Sequence, residues 1–151
     1  MPNKLLEKVT MELIAIPPLI HRSIRRKVTK SQGHEVEQDI TRNHFLILIL
    51  LEEKGTLHVA EICRELQISK AQMTHLIDKL VKLDYVKREI SSDDRRAINI
   101  SISPRGRVGL ERKKNMFFDA IKEDISTLST EDLNQLSASL RKLKDILSKL
   151  N

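Results

Sequence analysis

From Ser69 the chain runs Ser69, Lys70, Ala71, Gln72, Met73, Thr74 and His75, with Lys79 and Lys82 further along, so hydroxyl, ammonium, amide and imidazole groups succeed one another with no carboxylate for two helical turns. Those are the groups that read duplex DNA. A Gln amide bonds bidentately to adenine, and an imidazole N–H donates to the guanine acceptors. Ammonium groups, hydroxyls and the free backbone N–H groups of a helix start hold phosphates. Gln72 and His75 are therefore the candidate base readers, and Ser69, Lys70, Thr74 and Lys79 the candidate phosphate ligands. Further on, Asp93-Asp94-Arg95-Arg96 places two guanidinium groups in a polar tip, and arginine suits a narrow minor groove, where the negative potential is enhanced. A plainer reading of the tip is that Arg95 and Arg96 only pair with Asp93 and Asp94 and keep the loop solvated.

Constellations for catalysis are missing. Four glycines leave no material for a phosphate cradle, and neither a His-Glu-x-x-His helix nor a nucleophile elbow is present. His21, His34, His44, His58 and His75 are scattered, with no pair at metal-ligand spacing on one helix. The expectation is a protein that is no enzyme and carries neither cofactor nor metal. The single cysteine excludes a disulfide framework within the chain and fits a reducing compartment. Cys63 shares an apolar stripe with Val59, Ile62 and Leu66, so an inert buried thiol is expected rather than a sensor.

The elements that must position these residues can be read from the spacing. Val59, Ile62, Cys63 and Leu66 fall on one helical face, and Ser69 is a good N-cap for a second helix whose apolar stripe is Met73, Leu76, Ile77, Leu80 and Leu83. Two short helices joined by a tight turn form a helix-turn-helix, a pattern of low specificity on its own. The segment after the second helix strengthens it. Val86, Arg88 and Ile90 alternate with Lys87 and Glu89, and Ile98, Ile100 and Ile102 with Asn99 and Ser101, the period of two half-buried strands around the turn formers Ser91 to Asp94. Upstream, Thr41 caps a helix that is apolar from Phe45 to Leu51 and stops at Gly55, and Thr56-Leu57 offers a short third strand.

The flanking segments are apolar in stripes as well. Leu5, Leu6, Val9, Leu13 and Ile16, then Leu19, Ile20, Ile24 and Val28, have helical spacing, and Pro17-Pro18 predicts a break into two helical pieces, the second starting at the prolines. Ser31 to His34 read as a loop. Arg22, Arg25, Arg26, Lys27 and Lys30 form a basic cluster, read as a solvated helix end or as a contact to DNA backbone. Ser103-Pro104 opens a long helix to about Ser126, and Ser129-x-x-Asp132 resembles a capping box. Beyond it Leu133, Leu136, Leu140, Leu143, Leu147 and Leu150 alternate steps of three and four. This row fits an intramolecular face or a coiled-coil seam; because the central segment cannot bury it together with the N-terminal stripe, Leu5, Val9, Leu133, Leu136, Leu140, Leu143 and Leu147 are expected in a homodimer interface.

A chain of 151 residues suits a single domain able to bury its own core. With 40% hydrophobic and 32% charged residues it reads as globular rather than disordered. Three Phe, one Tyr and no Trp leave no stacking platform for single strands. No run has the length of a membrane span, and Glu7, Lys8 and Glu12 interrupt any signal-peptide core, so no membrane partner and a cytoplasmic location are expected. The net charge of +6 suits a polyanion. Residues 64–107 carry ten Lys or Arg against six Asp or Glu, whereas residues 108–151 carry eight against seven, so the excess is concentrated in the helix-turn-helix and hairpin segment.

These residues resemble the MarR family of transcription regulators. The resemblance lies in His58 to Ile62, Ile68-Ser69-Lys70, Thr74 to Leu80, Tyr85 to Arg88, Asp94-Arg95-Arg96 and Ile100 to Gly106, and it extends over nearly the whole chain once the flanking helices are included. Two positions depart from the family pattern: Asp84 replaces a usual glycine, and Ile102-Ser103 a usual Leu-Thr. The resemblance implies one mainly α domain over 1–151 with a small β-wing. Residues 41–103 would be the winged helix-turn-helix reader, and 1–40 and 104–151 the flanking dimerisation helices. It implies that the helix from Ser69 enters the major groove, that Arg96 reaches the minor groove, and that Asp94 braces it. It further implies a homodimeric repressor on a pseudo-palindromic double-stranded operator, released by a small aromatic or phenolic effector. The same winged helix also fits a protein-interaction module that does not bind specific DNA.

Overall fold

A computed structural model of the chain describes residues 2–28 and 40–150, with side chains from 3–22 and 40–150. The expected loop at Ser31 to His34 lies outside the described residues, as do the side chains of Arg25, Arg26, Lys27 and Lys30. The chain divides into two compact units, residues 32–115 and residues 1–31 with 116–151.

The central unit is built on α2 (Arg42–Lys54), α3 (Val59–Leu66), α4 (Lys70–Lys82) and a three-stranded sheet, joined by the start of α5 (Pro104–Ile125). In α2, Ile47, Leu48, Leu50 and Leu51 are buried, which is why its sequence is apolar almost all round. Its start is closed by the Thr41 N–H, which donates to His44 Nδ1 at 3.0 Å. Gly55 ends it with φ +78°, its N–H bonded to the Leu51 carbonyl at 2.9 Å, a conformation that glycine adopts without strain. Strand β1 (Leu57–His58) then pairs antiparallel with β3 (Ile98–Ile102), which pairs antiparallel with β2 (Val86–Ile90), giving the order β1-β3-β2. The third strand thus sits one residue later than Thr56-Leu57 suggested.

Ile62 of α3 and Met73, Leu76, Ile77 and Leu80 of α4 bury against α2, together with Tyr85, Val86, Ile100, Ile102 and Leu110. The period-2 expectation holds only for the inner half of the hairpin. Val86, Ile100 and Ile102 are buried, but Arg88 and Ile90 of β2 are exposed, Ile90 at 71%. The reason is reach: the body ends beneath Arg88, and the outer strands run on past it as a projecting wing.

The second unit contains α1 (Pro2–Val28), the end of α5 and α6 (Thr130–Leu147), closed by a 3-10 turn at Ser148–Leu150. Helix α1 continues through Pro17 and Pro18, correcting the predicted break. Proline's φ already suits a helix; what the pair removes is the two N–H groups that would bond the Leu13 and Ile14 carbonyls. Around these two positions the helix is not buried, Ile14 being exposed and Leu13 half-exposed, which is where backbone carbonyls without a helical partner are best tolerated. Ser129 caps α6 as expected, its Oγ accepting the Asp132 N–H at 3.0 Å and donating to Asp132 Oδ2 at 2.7 Å. No residue of α6 is buried; Leu140 is 52% exposed, and Leu5 of α1 is 65% exposed.

Candidate nucleic-acid interface

The tight turn into α4 is made by Gln67, in the left-handed region at φ +53°, and by Ser69, whose Oγ accepts the Gln72 N–H at 3.3 Å. The cap leaves the first turn of α4 pointing outward. With Met73, Leu76, Ile77 and Leu80 buried behind, Ser69, Lys70, Gln72, Thr74 and His75 are all exposed. Lys79 differs from the rest. It is half-buried, and its ammonium lies close enough to the buried His44 to help depress that imidazole's pKa below 6.5, after desolvation as the larger cause. Thr74 also carries a local duty, since its hydroxyl donates to the Lys70 carbonyl at 3.0 Å and would have to turn to reach a phosphate.

The wing is held at both ends. At its root Asp84 takes φ +58°, the left-handed conformation that Asp accepts better than most residues. Its carbonyl accepts the Ser103 hydroxyl at 2.5 Å, and Ser103 Oγ in turn accepts the Gly106 N–H at 2.9 Å, starting α5. At its tip Asp94 Oδ1 accepts the Arg96 backbone N–H at 2.9 Å, and the Asp94 carbonyl accepts the Ala97 N–H at the same distance. Asp94 therefore braces Arg96 through its backbone, leaving the guanidinium outside that bond. Arg95 and Arg96 are exposed.

Between the wing and α4 runs a groove of about 580 Å³, in which Lys70 and Thr74 face Asp94 and Arg96 across a floor that includes Val59, Cys63, Ile77 and Ile98. It gathers four of the predicted contact residues. Gln72, His75 and Arg95 lie outside it on exposed surface. Cys63 is half-buried rather than sealed in the core: it packs against the core's edge and also lines the groove floor.

Two residues of this surface escaped the sequence reading. Arg88, assigned to the inward face of β2, forms an ion pair with Asp78 of α4 through Nη2 and Oδ1. The signal was present: a guanidinium at an inward strand position demands an acid, and Asp78 is the first carboxylate on α4. Elsewhere Lys54 and Glu65, 2.8 Å apart, join α2 to α3, and the lysine holds the Glu65 carboxyl below the usual range. Lys114 and Glu52, 2.5 Å apart, join α5 to α2. Among the described residues no group of three His, Cys, Asp or Glu is placed to hold a metal, and no helix is long and apolar enough to cross a membrane.

Residues 38–97, which include the turn, α4 and the wing tip, match the family model described as MarR family. The uncharacterized HTH-type transcriptional regulator YpoP of Bacillus subtilis (strain 168) is 34% identical over 104 residues, 64% of this chain and 74% of that protein. The chain belongs to the MarR family of transcription regulators. Solved members of the fold agree over almost the full length. The YusO protein of Bacillus subtilis superposes with a TM-score of 0.71 at 21% identity, covering 96% of this chain and 98% of that one. A mutant of S. aureus MepR, bound to an oligodeoxyribonucleotide, superposes with a TM-score of 0.62 at 22% identity, covering 100% and 99%.

Proposed function

We propose that this MarR-family regulator is a sequence-specific reader of double-stranded DNA, acting as a repressor. The observation that carries the reading is the outward face of α4, where Lys70, Gln72 and His75 are exposed on a leucine-backed helix beside a wing tipped by Arg95 and Arg96. In this reading α4 enters the major groove, with Gln72 and His75 at base edges. Ser69, Lys70, Thr74 and Lys79 hold phosphates, and Arg96, braced by Asp94 and flanked by Arg95, enters the minor groove. The oligonucleotide bound to MepR supports the partner class.

Residues 41–103 serve as the reader, and 1–40 and 104–151 supply a homodimer interface. Exposed apolar side chains at Leu5, Val9, Leu140 and Leu147, with Leu133, Leu136 and Leu143 half-covered, support that assignment, since a single chain leaves them to water. Symmetry then calls for a pseudo-palindromic operator with half-sites about one helical turn apart. Release by a small aromatic or phenolic effector, and a cytoplasmic site of action, complete the proposal on family grounds.

The test is a titration on genomic DNA fragments at two salt concentrations, followed by footprinting of the retained fragments. Affinity should fall steeply with salt as counterions are released. One feature favours the alternative of a winged helix that docks protein: the cross-strand pair Ile90 and Ile98 leaves apolar surface on the wing. Binding that hardly responds to salt would count against phosphate recognition and favour that alternative.

A further inference from the structure

Arg88 stands third in β2, across from Ile100, on the strand face that carries the buried Val86. Level with it and inward of it the sheet is held by apolar packing of Ile100, Val86 and Ile102. Outward of it the hairpin leaves the apolar core, since Ile90 and Ile98 are next along the same face and exposed, and Ser92 to Arg96 are exposed as well; Ser91, its N–H bonded to the Ala97 carbonyl at 2.9 Å, is buried within the hairpin's own turn. The Arg88 guanidinium meets the Asp78 carboxylate of α4 at this transition. We infer that the Asp78–Arg88 ion pair is a strut that sets the angle of the wing on α4, and so fixes the span between the base-reading face of α4 and the Arg96 guanidinium. The inference rests on the DNA-reading function proposed above.

Both side chains are partly exposed, 38% for Arg88 and 53% for Asp78, so the pair adds little to folding stability. Its effect is geometric. At ~3.3 Å per strand residue the wing tip lies on the order of 15 Å beyond Arg88. A tilt of about 10° there carries Arg96 by roughly 2.5 Å, far more than a hydrogen bond tolerates. Asp78 and Arg88 are thus positioning residues, acting through Arg96. The rival account is simple charge: Asp78 repels phosphate, and Arg88 merely masks it.

The experiment uses the full chain and the duplex recovered by selecting the wild-type protein on randomised DNA. Asp78→Asn, Arg88→Gln and the exchanged pair Asp78→Arg with Arg88→Asp are each measured with and without Arg96→Ala. With Arg96 present, Asp78→Asn and Arg88→Gln should each weaken binding roughly tenfold, and in the Arg96→Ala background neither should weaken it further. Minor-groove protection from hydroxyl radical should fade while guanine N7 protection persists, and the exchanged pair, with its net charge unchanged, should restore most of the affinity. Arg88→Lys, which keeps the cation, supplies the same rescue if the exchanged pair does not fold. Tighter binding by Asp78→Asn in both backgrounds, or equal losses in both, overturns the strut. If Arg96→Ala itself binds as well as wild type, the wing's part in the proposed function fails and the strut with it; if Arg96→Ala weakens binding while the Asp78 and Arg88 variants do not, the strut alone fails.

Discussion

Replacing Gly106 by Ala tests how the wing root is joined to α5. A Cβ at Gly106 would stand 2.0 Å from the Tyr85 carbonyl oxygen, a full 1.0 Å inside the 3.0 Å limit below which real Cβ atoms essentially never fall. That oxygen is backbone and accepts the Ser103 N–H at 2.9 Å, so it cannot swing aside without opening the turn that ends the wing. Overpacking of this kind costs about 1–3 kcal/mol, and the strained Ser103 bond adds about 1 kcal/mol, against a gain of at most about 1 kcal/mol from Ala over Gly in a helix. The net loss is therefore about 2 kcal/mol, or roughly 4–8 °C in Tm for a chain of this length. Thermal unfolding followed by circular dichroism reads this directly. Gly109 provides the control, because its Cβ would meet the Tyr85 ring at 2.8 Å rather than backbone. Tyr85→Leu should thus absorb part of the cost of Gly109→Ala and none of the cost of Gly106→Ala. A Gly106→Ala protein as stable as wild type, or one rescued by Tyr85→Leu, would refute the close approach of α5 to Tyr85.

Arg96→Ala should weaken operator binding by about 2 kcal/mol, roughly thirtyfold, without moving Tm, as read by fluorescence anisotropy; unchanged affinity would remove the wing from the interface. Gln72→Ala should relax the preferred base at one position of each half-site in a selection on randomised DNA, and an unaltered consensus would show that Gln72 reads no base. His44 keeps a pKa below 6.5 because it is desolvated and lies near Lys79, and its Nδ1 must be unprotonated to accept the Thr41 N–H. The unfolded chain therefore takes up the proton first: stability should be full above pH 6.5 and decline as pH falls below it toward the folded-state pKa, while His44→Asn should lose less over that window. Equal slopes for the two proteins in thermal scans would contradict this. Leu140→Lys, on the exposed seam of α6, should convert a dimer into monomer in sedimentation at micromolar concentration, and a dimer that survives the charge would place the interface elsewhere.

Local signals settled much of this protein. The caps at Ser69, Ser103 and Ser129 and the stop at Gly55 each depend on one residue's own hydrogen-bonding or steric preference, and the structure repeats them. The apolar stripes of α3 and α4 were legible for the same reason, because burial needs only a face at period 3.6. Exposure of Lys70, Gln72 and His75 came from the stripe behind them. Other features are set by distance across the fold, which residue spacing does not encode. Periodicity could not tell that β2 outruns the body at Arg88, or that Lys79 is half-buried while Lys70 lines the groove beside the wing. Nor could local rules decide Pro17 and Pro18, where the loss of two donors is fixed by composition but its consequence depends on whether the stranded carbonyls meet solvent. Residue types and their spacing thus determined which groups are available for DNA, and tertiary packing decided which of them stand free and how far apart, because side-chain chemistry is local and the span between two grooves is not.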